Sequence, residues 1–212
     1  MKFVIQLVLW VVIAFLGYKV YDSVYSSVEF QKTKTERFAK VVTKLKDIRK
    51  AQLAHKTVTG TFATSFENLS QFLDTAKFEI TQRRDSSFTR YDKSLRIDRS
   101  IDTVVVDILG YESVKDSLFK NVDYTTLNTI KVTEQQSATI KMETDKITKN
   151  EIDYPVFKAS VDKRDVLFDQ PLNYVAEEEE ANSLDEINGP NIFVGSLDEI
   201  NTNGNWPVVY DK

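Results

Sequence analysis

The pattern of hydrophobic and polar positions changes period twice along the chain. From Phe3 to Tyr18 the run is apolar, broken only by Gln6, and Val20 and Tyr21 extend it around Lys19. About twenty apolar residues in a helix cross the hydrocarbon core of a bilayer. Lys2 and Lys19 can snorkel to the interfaces, and Trp10 adds apolar bulk. The pattern predicts a transmembrane anchor over residues 1–21. A cleaved signal peptide would show the same charged start and apolar run. A good small-x-small cleavage site is missing, because Ala14, Gly17, Ser23 and Ser26 are wrongly spaced or flanked by bulky side chains. The expectation is an uncleaved anchor that contacts lipid through Phe3–Tyr18.

Past the anchor the period becomes helical. No proline or glycine lies between Lys19 and Thr59, and Phe38, Val41, Val42, Leu45, Ile48, Ala51 and Ala54 recur at three- and four-residue steps. One helix from Phe3 to about His55, roughly 80 Å long, follows from this spacing. Its part over 22–60 is amphipathic. Gly60 suits the helix C-cap. Thr64 and Glu67 then form a T-x-x-E capping box ahead of a short helix carrying Phe66, Leu69, Phe72 and Leu73.

The second change is to a period of two. Strands are expected at Lys77–Gln82, Ser87–Asp92, Asp102–Leu109, Ser137–Ile147 and Tyr154–Asp162, with a short helix or turn in "YESVKDSLF". Ala138, Ile140 and Met142 alternate with Thr139, Lys141 and Glu143, the mark of a sheet with one wet face. Helices come first and strands run together afterwards. The fold class is therefore α+β, a long N-terminal helix packed on an antiparallel sheet. The expected division is an anchor (1–21), an amphipathic helix (22–60), an α+β domain (61–164) and an acidic C-terminal arm (165–212).

Charge sharpens that division. Gln31–Lys50 holds eight Lys/Arg against Glu36 and Asp47, whereas Asp165–Asp211 holds eleven Asp/Glu and no Lys or Arg. These segments are either two solvated faces or surfaces that meet, within one molecule or between neighbours. Lys40, Lys44, Arg49 and Lys50 are the candidate interaction residues on the helix. The formal net charge of −4 argues against nucleic acid as a partner. With no cysteine there is no disulfide framework, thiolate zinc site or thiol nucleophile.

No catalytic pattern stands out. The single histidine, His55, reads as a helix-end residue favoured by the dipole. "RRDSSFTRYDKSLRIDR" (Arg83–Arg99) mixes arginine with aromatics and suits an anion, but its interleaved aspartates fit a solvated strand pair. Calcium takes six to eight oxygen ligands, and Asp185, Glu186, Asp198 and Glu199 are the candidates for it. Their spacing is not that of an EF-hand.

The hexamer SLDEIN occurs at Ser183–Asn188 and again at Ser196–Asn201. Both copies have the S-x-x-E spacing of a capping box, and each soon meets a breaker, Gly189-Pro190 or Asn203-Gly204. Two one-turn helices between the extended pieces "NIFVG" and "WPVVY" are expected.

The apolar first helix, its uninterrupted continuation and "IRKAQLAHKTVTGTFATSFENLSQFL" together resemble the type IV pilin and type II secretion pseudopilin superfamily. The likeness covers about the first 75 residues in pattern, and the later sheet agrees only in class. "MKFVIQLVLW" lacks both the glycine before phenylalanine of a pilin leader and the early glutamate of the mature helix. "GTF…S…L" and "VGSL…GNWP" also resemble membrane-anchored proteins of Bacteroidota. The resemblance implies a single-pass, non-enzymatic structural subunit of the bacterial envelope that assembles with itself or with other envelope proteins. It implies a place in the cytoplasmic (inner) membrane with the bulk of the chain outside the cytoplasm. The positive-inside rule alone points the other way, since Lys19, Lys32, Lys34 and Arg37 follow the anchor. The alternative is a monomeric, membrane-tethered module that displays its sheet to a protein, peptide or glycan.

Overall fold

A computed structural model describes residues 2–92, 94, 96–120 and 123–211. The elements run α1 (Lys2–Thr59), α2 (Phe66–Thr75), β1 (Lys77–Asp92), β2 (Ile97–Ser113), α3 (Val114–Leu118), β3 (Thr129–Lys131), β4 (Ser137–Thr139), β5 (Lys141–Lys149), β6 (Ile152–Asp162), α4 (Lys163–Val166), α5 (Leu172–Glu179), β7 (Asn191–Gly195) and a final 3-10 turn (Val208–Asp211). The class is α+β with antiparallel sheets, as the pattern predicts. Two compact units divide the chain: residues 1–49 with 126–212, and residues 50–125. The arm at 165–212 thus shares a unit with β3 to β7 and most of α1. The sequence segments 61–164 and 165–212 do not coincide with these units.

In the first unit the helical stripe is the core. Phe38, Val41, Val42, Leu45 and Ile48 are completely buried. Each such side chain contributes about 1.5–3 kcal/mol by leaving water, so these five alone supply on the order of 10 kcal/mol. The other large buried surface is the antiparallel sheet β5–β6–β7. Val156, Phe157, Ala159 and Val161 of β6 are buried, as are Ile192 and Val194 of β7.

β5 and β6 are joined by Asn150 and Glu151, both with positive φ (51° and 64°). That is the requirement of a two-residue hairpin turn matched to strand twist. β6 is flanked on both sides only from Lys158 to Ser160, where both β5 and β7 pair with it. Pro155 pairs with Lys146 of β5 beyond the reach of β7, so its missing N–H breaks no central ladder. The alternation at Ala138, Ile140 and Met142 is as expected. Ala138 and Ile140 are buried, while Thr139, Lys141 and Glu143 face water. The ladder changes partner at Ile140: β4 pairs with β3 before it, and β5 pairs with β6 after it.

In the second unit α1 ends at a left-handed Gly60 (φ 82°), whose N–H donates to the Lys56 carbonyl at 2.9 Å. Gln52 is fully buried. Its Nε2 donates to the Ala63 carbonyl at 2.9 Å and its Oε1 accepts from the Ala63 N–H at 2.8 Å. This reciprocal pair pins the turn between α1 and α2. The N-cap of α2 is Ser65, which accepts from the Asn68 amide at 3.2 Å. The expected Thr64–Glu67 box is therefore displaced by one residue, because two adjacent hydroxyl residues compete for the same cap.

The expected strands 77–82 and 87–92 are one strand, β1. It pairs with β2 over its whole length, with a single bulge at Ile80/Thr81. The short helix read in "YESVKDSLF" is α3.

Candidate functional site

Three features are built from residues that do something other than fill a core. The first is the exposed half of α1. Phe3 is 87% exposed and Leu16 56%, and the apolar side chains from Phe3 through Val28 are all exposed. The helix is long and apolar enough to cross a membrane. Lateral contact begins at Ser26, whose hydroxyl lies 3.0 Å from the Tyr174 hydroxyl, and at Phe30, whose ring stacks on Tyr174 at 5.1 Å. About 24 residues of helix precede that contact, or roughly 36 Å at the α-helical rise. This exceeds a hydrocarbon core of about 30 Å.

The second feature joins the basic helix to the acidic arm. Lys34 Nζ donates to Glu178 Oε2 at 2.7 Å and lies 3.5 Å from Glu186 Oε1. Lys163 Nζ donates to the carbonyls of Glu178 and Ile187, both at 2.6 Å, and to Glu178 Oε1 at 3.1 Å. Glu178 thus bridges two lysines away from water. Burial works against the Lys34 charge, but its bond to Glu178 and the nearby carboxylates outweigh this and raise its pKa. At Lys163 burial dominates the attraction of Glu178, and its pKa falls.

One turn further along α1, Arg37 grips Asp169 through both guanidinium ends, at 2.6 and 2.8 Å, and donates to the Val166 carbonyl at 2.9 Å. Lys46 Nζ donates to the Tyr210 carbonyl at 3.3 Å. Arg164 and Glu179 form a further bidentate pair.

The basic helix and the acidic arm therefore meet within one molecule, through Lys34, Arg37 and Lys46. Lys40 and Lys50 are exposed and Arg49 is half-buried, while Lys44 reaches Thr126 Oγ1 at 3.4 Å. The helix period explains why Lys34 is buried and Lys40 is exposed. Lys34 falls at the centre of the Phe38–Val41–Leu45–Ile48 stripe, whereas Lys40 lies about 120° round the helix from it. Extending the apolar stripe back by one turn from Phe38 finds Lys34.

A buried lysine of lowered pKa beside a carboxylate is also how general-base lysines are made. All three donors of Lys163 are taken and its side chain is 0% exposed. No position is left for a substrate, and the cluster is a structural clamp.

The candidate calcium ligands are not gathered. Among the described residues no three His, Asp or Glu side chains are grouped to hold an ion. Glu186 is turned toward Lys34 instead. The two SLDEIN copies do flank a strand, β7, yet neither forms a helix. Ser196 Oγ accepts from Asp198 and Glu199 amides at 3.1 and 3.2 Å, whereas Ser183 Oγ accepts only from the Asp185 amide, at 3.4 Å. "WPVVY" is not extended: it holds the final 3-10 turn, closed by the Tyr210 N–H on the Pro207 carbonyl.

His55 Nδ1 lies 2.6 Å from the Thr61 carbonyl, and its ring packs on Phe72 at 4.7 Å. It is held as part of the α1–α2 turn beside a shallow groove lined by Thr64, Asn68 and Gln71.

The third feature is the β1–β2 ribbon. Among the described residues it is a sheet of two strands alone. Phe88, Tyr91, Val104, Val106, Ile108 and Tyr111 are all more than half exposed. Arg84 and Asp107 form an ion pair across it at 2.7 Å. Its aspartates interleave with its arginines, as a solvated strand pair requires.

Comparison with protein-family models, with curated proteins and with solved structures finds no match to this chain.

Proposed function

We propose that this chain is a single-pass, membrane-anchored, non-enzymatic assembly subunit of the bacterial envelope, pilin-like in layout, with its bulk outside the cytoplasm. The observation that carries the reading is the division of α1. One unbroken helix exposes apolar side chains from Phe3 to Val28 and buries a stripe from Phe30 onward. A soluble domain does not leave such a length of apolar helix in water. The clamp from Lys34 and Arg37 to the arm ties the helix to its domain just past the lipid-sized segment.

Two measurements test it. The full chain, expressed in a Gram-negative host, is expected in the membrane fraction after alkaline carbonate washing. A C-terminal reporter active only in the periplasm is expected to function. Release by carbonate removes the anchor, and activity of a cytoplasm-only reporter reverses the topology. The exposed ribbon favours one second reading, a tethered module that captures another protein. In-cell crosslinking separates the two, since ladders of this chain support assembly and one foreign band supports capture.

A further inference from the structure

The β1–β2 ribbon presents a problem that its own residues do not solve. An isolated two-stranded sheet is marginally stable, and both of its outer edges offer unpaired backbone groups to any passing strand. Natural proteins protect such edges with charge, proline or short length. The β1 edge is protected in this way, because Arg83, Arg84 and Asp85 interrupt it and Arg90 follows. The β2 edge is not. Thr103-Val104-Val105-Val106 carries no charge and no proline, and all four side chains are exposed. β-Branched residues of this kind favour a paired strand.

Charge adds a second observation. Arg90 of β1 is directly opposite Arg99 of β2, and neither guanidinium has an ion-pair partner among the described residues. Like charges directly opposed across a strand pair destabilise it. On the same face, Asp107 sits eight residues along β2 from Arg99, paired with Arg84. A carboxylate can accept from two guanidinium groups.

We infer that β2 pairs antiparallel with β2 of a second copy of this chain, Thr103 opposite Thr103, forming a four-stranded sheet across a two-fold axis. In this register Arg99 falls opposite Asp107 of the second copy, and the match occurs twice by symmetry. Ile101 falls opposite Val105, also twice. Phe88 lies beside Ile101 within each ribbon, so the apolar side chains form one band across all four strands. No like charges oppose each other across the new ladder. A slip of two residues one way sets Asp102 against itself, and a slip the other way sets Ile101 against Asp107. The charge pattern therefore specifies the register as well as the partner.

This inference names the self-contact that the assembly reading above requires, and it rests on that reading only for its biological setting. The test uses the full chain in detergent and in membranes. The natural chain has no cysteine, so Thr103→Cys creates a single thiol. Residues opposite one another in an antiparallel pair have Cα atoms about 4.5–5.5 Å apart, within disulfide range. Mild oxidation is expected to yield a disulfide dimer from T103C and little from Ser87→Cys on the β1 strand.

Arg99→Asp, added to T103C, turns two attractive pairs into repulsive ones. It is expected to lower dimer formation at least about tenfold. The R84D/R99D/D107R variant, also carrying T103C, restores both pairs made by residue 107 with their signs reversed and is expected to recover the dimer.

A T103C yield no higher than that of S87C overturns the interface, and so does a crosslink to a foreign protein in its place. Failure of the sign-reversed variant to recover overturns the register. Membrane retention of the same variants is scored separately. Loss of the dimer with retention intact counts against this interface alone, whereas loss of retention counts against the anchored reading.

Discussion

Lys34 Nζ lies 2.7 Å from Glu178 Oε2, with both side chains only 5% exposed. The two residues are 144 positions apart, so this contact closes the arm onto the helix. Its energy is not simply that of an ion pair, because taking two charges out of water costs several kcal/mol each and the attraction must first offset that. The contact becomes decisive when it is broken. Glu178→Gln leaves Lys163 facing a neutral amide away from water, and Lys34 with only the longer contact to Glu186. It is expected to destabilise the first unit by about 3–5 kcal/mol, the range for an orphaned buried charge. Lys34→Met is expected to cost less, since Glu178 keeps Lys163. Urea unfolding of the full chain in detergent, followed by Trp206 fluorescence, measures both. A loss below about 1 kcal/mol for E178Q would show that water reaches the cluster.

Acid is expected to release the Arg37–Asp169 pair. The Arg37 guanidinium on its carboxylate lowers its pKa from the ordinary 3.8 to about 2. The folded state thus binds its proton less readily than the unfolded chain does. The pair's contribution is fully present above about pH 4 and is lost as pH falls through 2. Asp169 is 38% exposed, so solvent screening reduces the contribution to about 1 kcal/mol. Asp169→Asn is expected to remove that amount at pH 7 and to leave stability flatter between pH 4 and 2 than in the natural chain. Parallel pH profiles for the two proteins would assign the acid sensitivity elsewhere.

Much of this was legible in the residue pattern, and the misses have physical causes. α1 could be read because a three- and four-residue apolar stripe without glycine or proline has few other uses. The sheet could be read from its period of two. The sequence of β1 reads as two strands because "RRDSS" has no apolar alternation, and its strand conformation depends instead on pairing with Val104–Val106 across the ribbon. Burial of Lys34 and Lys163 was not legible, since a lysine in a polar run reads as surface until its carboxylate partner is known. The two SLDEIN copies have the same local spacing, yet tertiary contacts separate them: Glu186 turns to Lys34, and only the second serine reaches the amide three residues on.

The strand between those copies depends on one glycine. Gly195 has φ 79°, and a Cβ placed there would lie 2.2 Å from the Phe157 carbonyl oxygen. The clash is with backbone in the centre of the sheet, so no side-chain rotamer relieves it. The left-handed conformation itself costs a non-glycine residue about 1–2 kcal/mol, and moving β7 off β6 adds to that. Gly195→Ala is expected to lower stability by more than about 2 kcal/mol and to deprotect amides of β6 and β7 first in hydrogen exchange. Gly110 has open space around its Cβ direction and no positive φ, so G110A is the matched control and is expected to be close to neutral.

The anchor is tested by substitutions that the fold should not notice. Leu9 and Ile13 are 58% and 52% exposed, with nothing in the domain covering them. Leu9→Arg/Ile13→Arg therefore removes no folded-state contact, and in water it would be neutral or favourable. In a bilayer each arginine near the helix centre costs about 2.5–3.5 kcal/mol on the insertion scale, or roughly 5–7 kcal/mol for both. The expected result is a double variant that leaves the membrane fraction while its domain keeps the urea midpoint of the natural chain. The two readouts must separate in that direction. If the domain unfolds with the substitution, the apolar half of α1 is packed against protein in the native state. If the variant stays in the membrane with its midpoint unchanged, the segment does not span the hydrocarbon, and the exposed run from Phe3 to Tyr18 needs another partner.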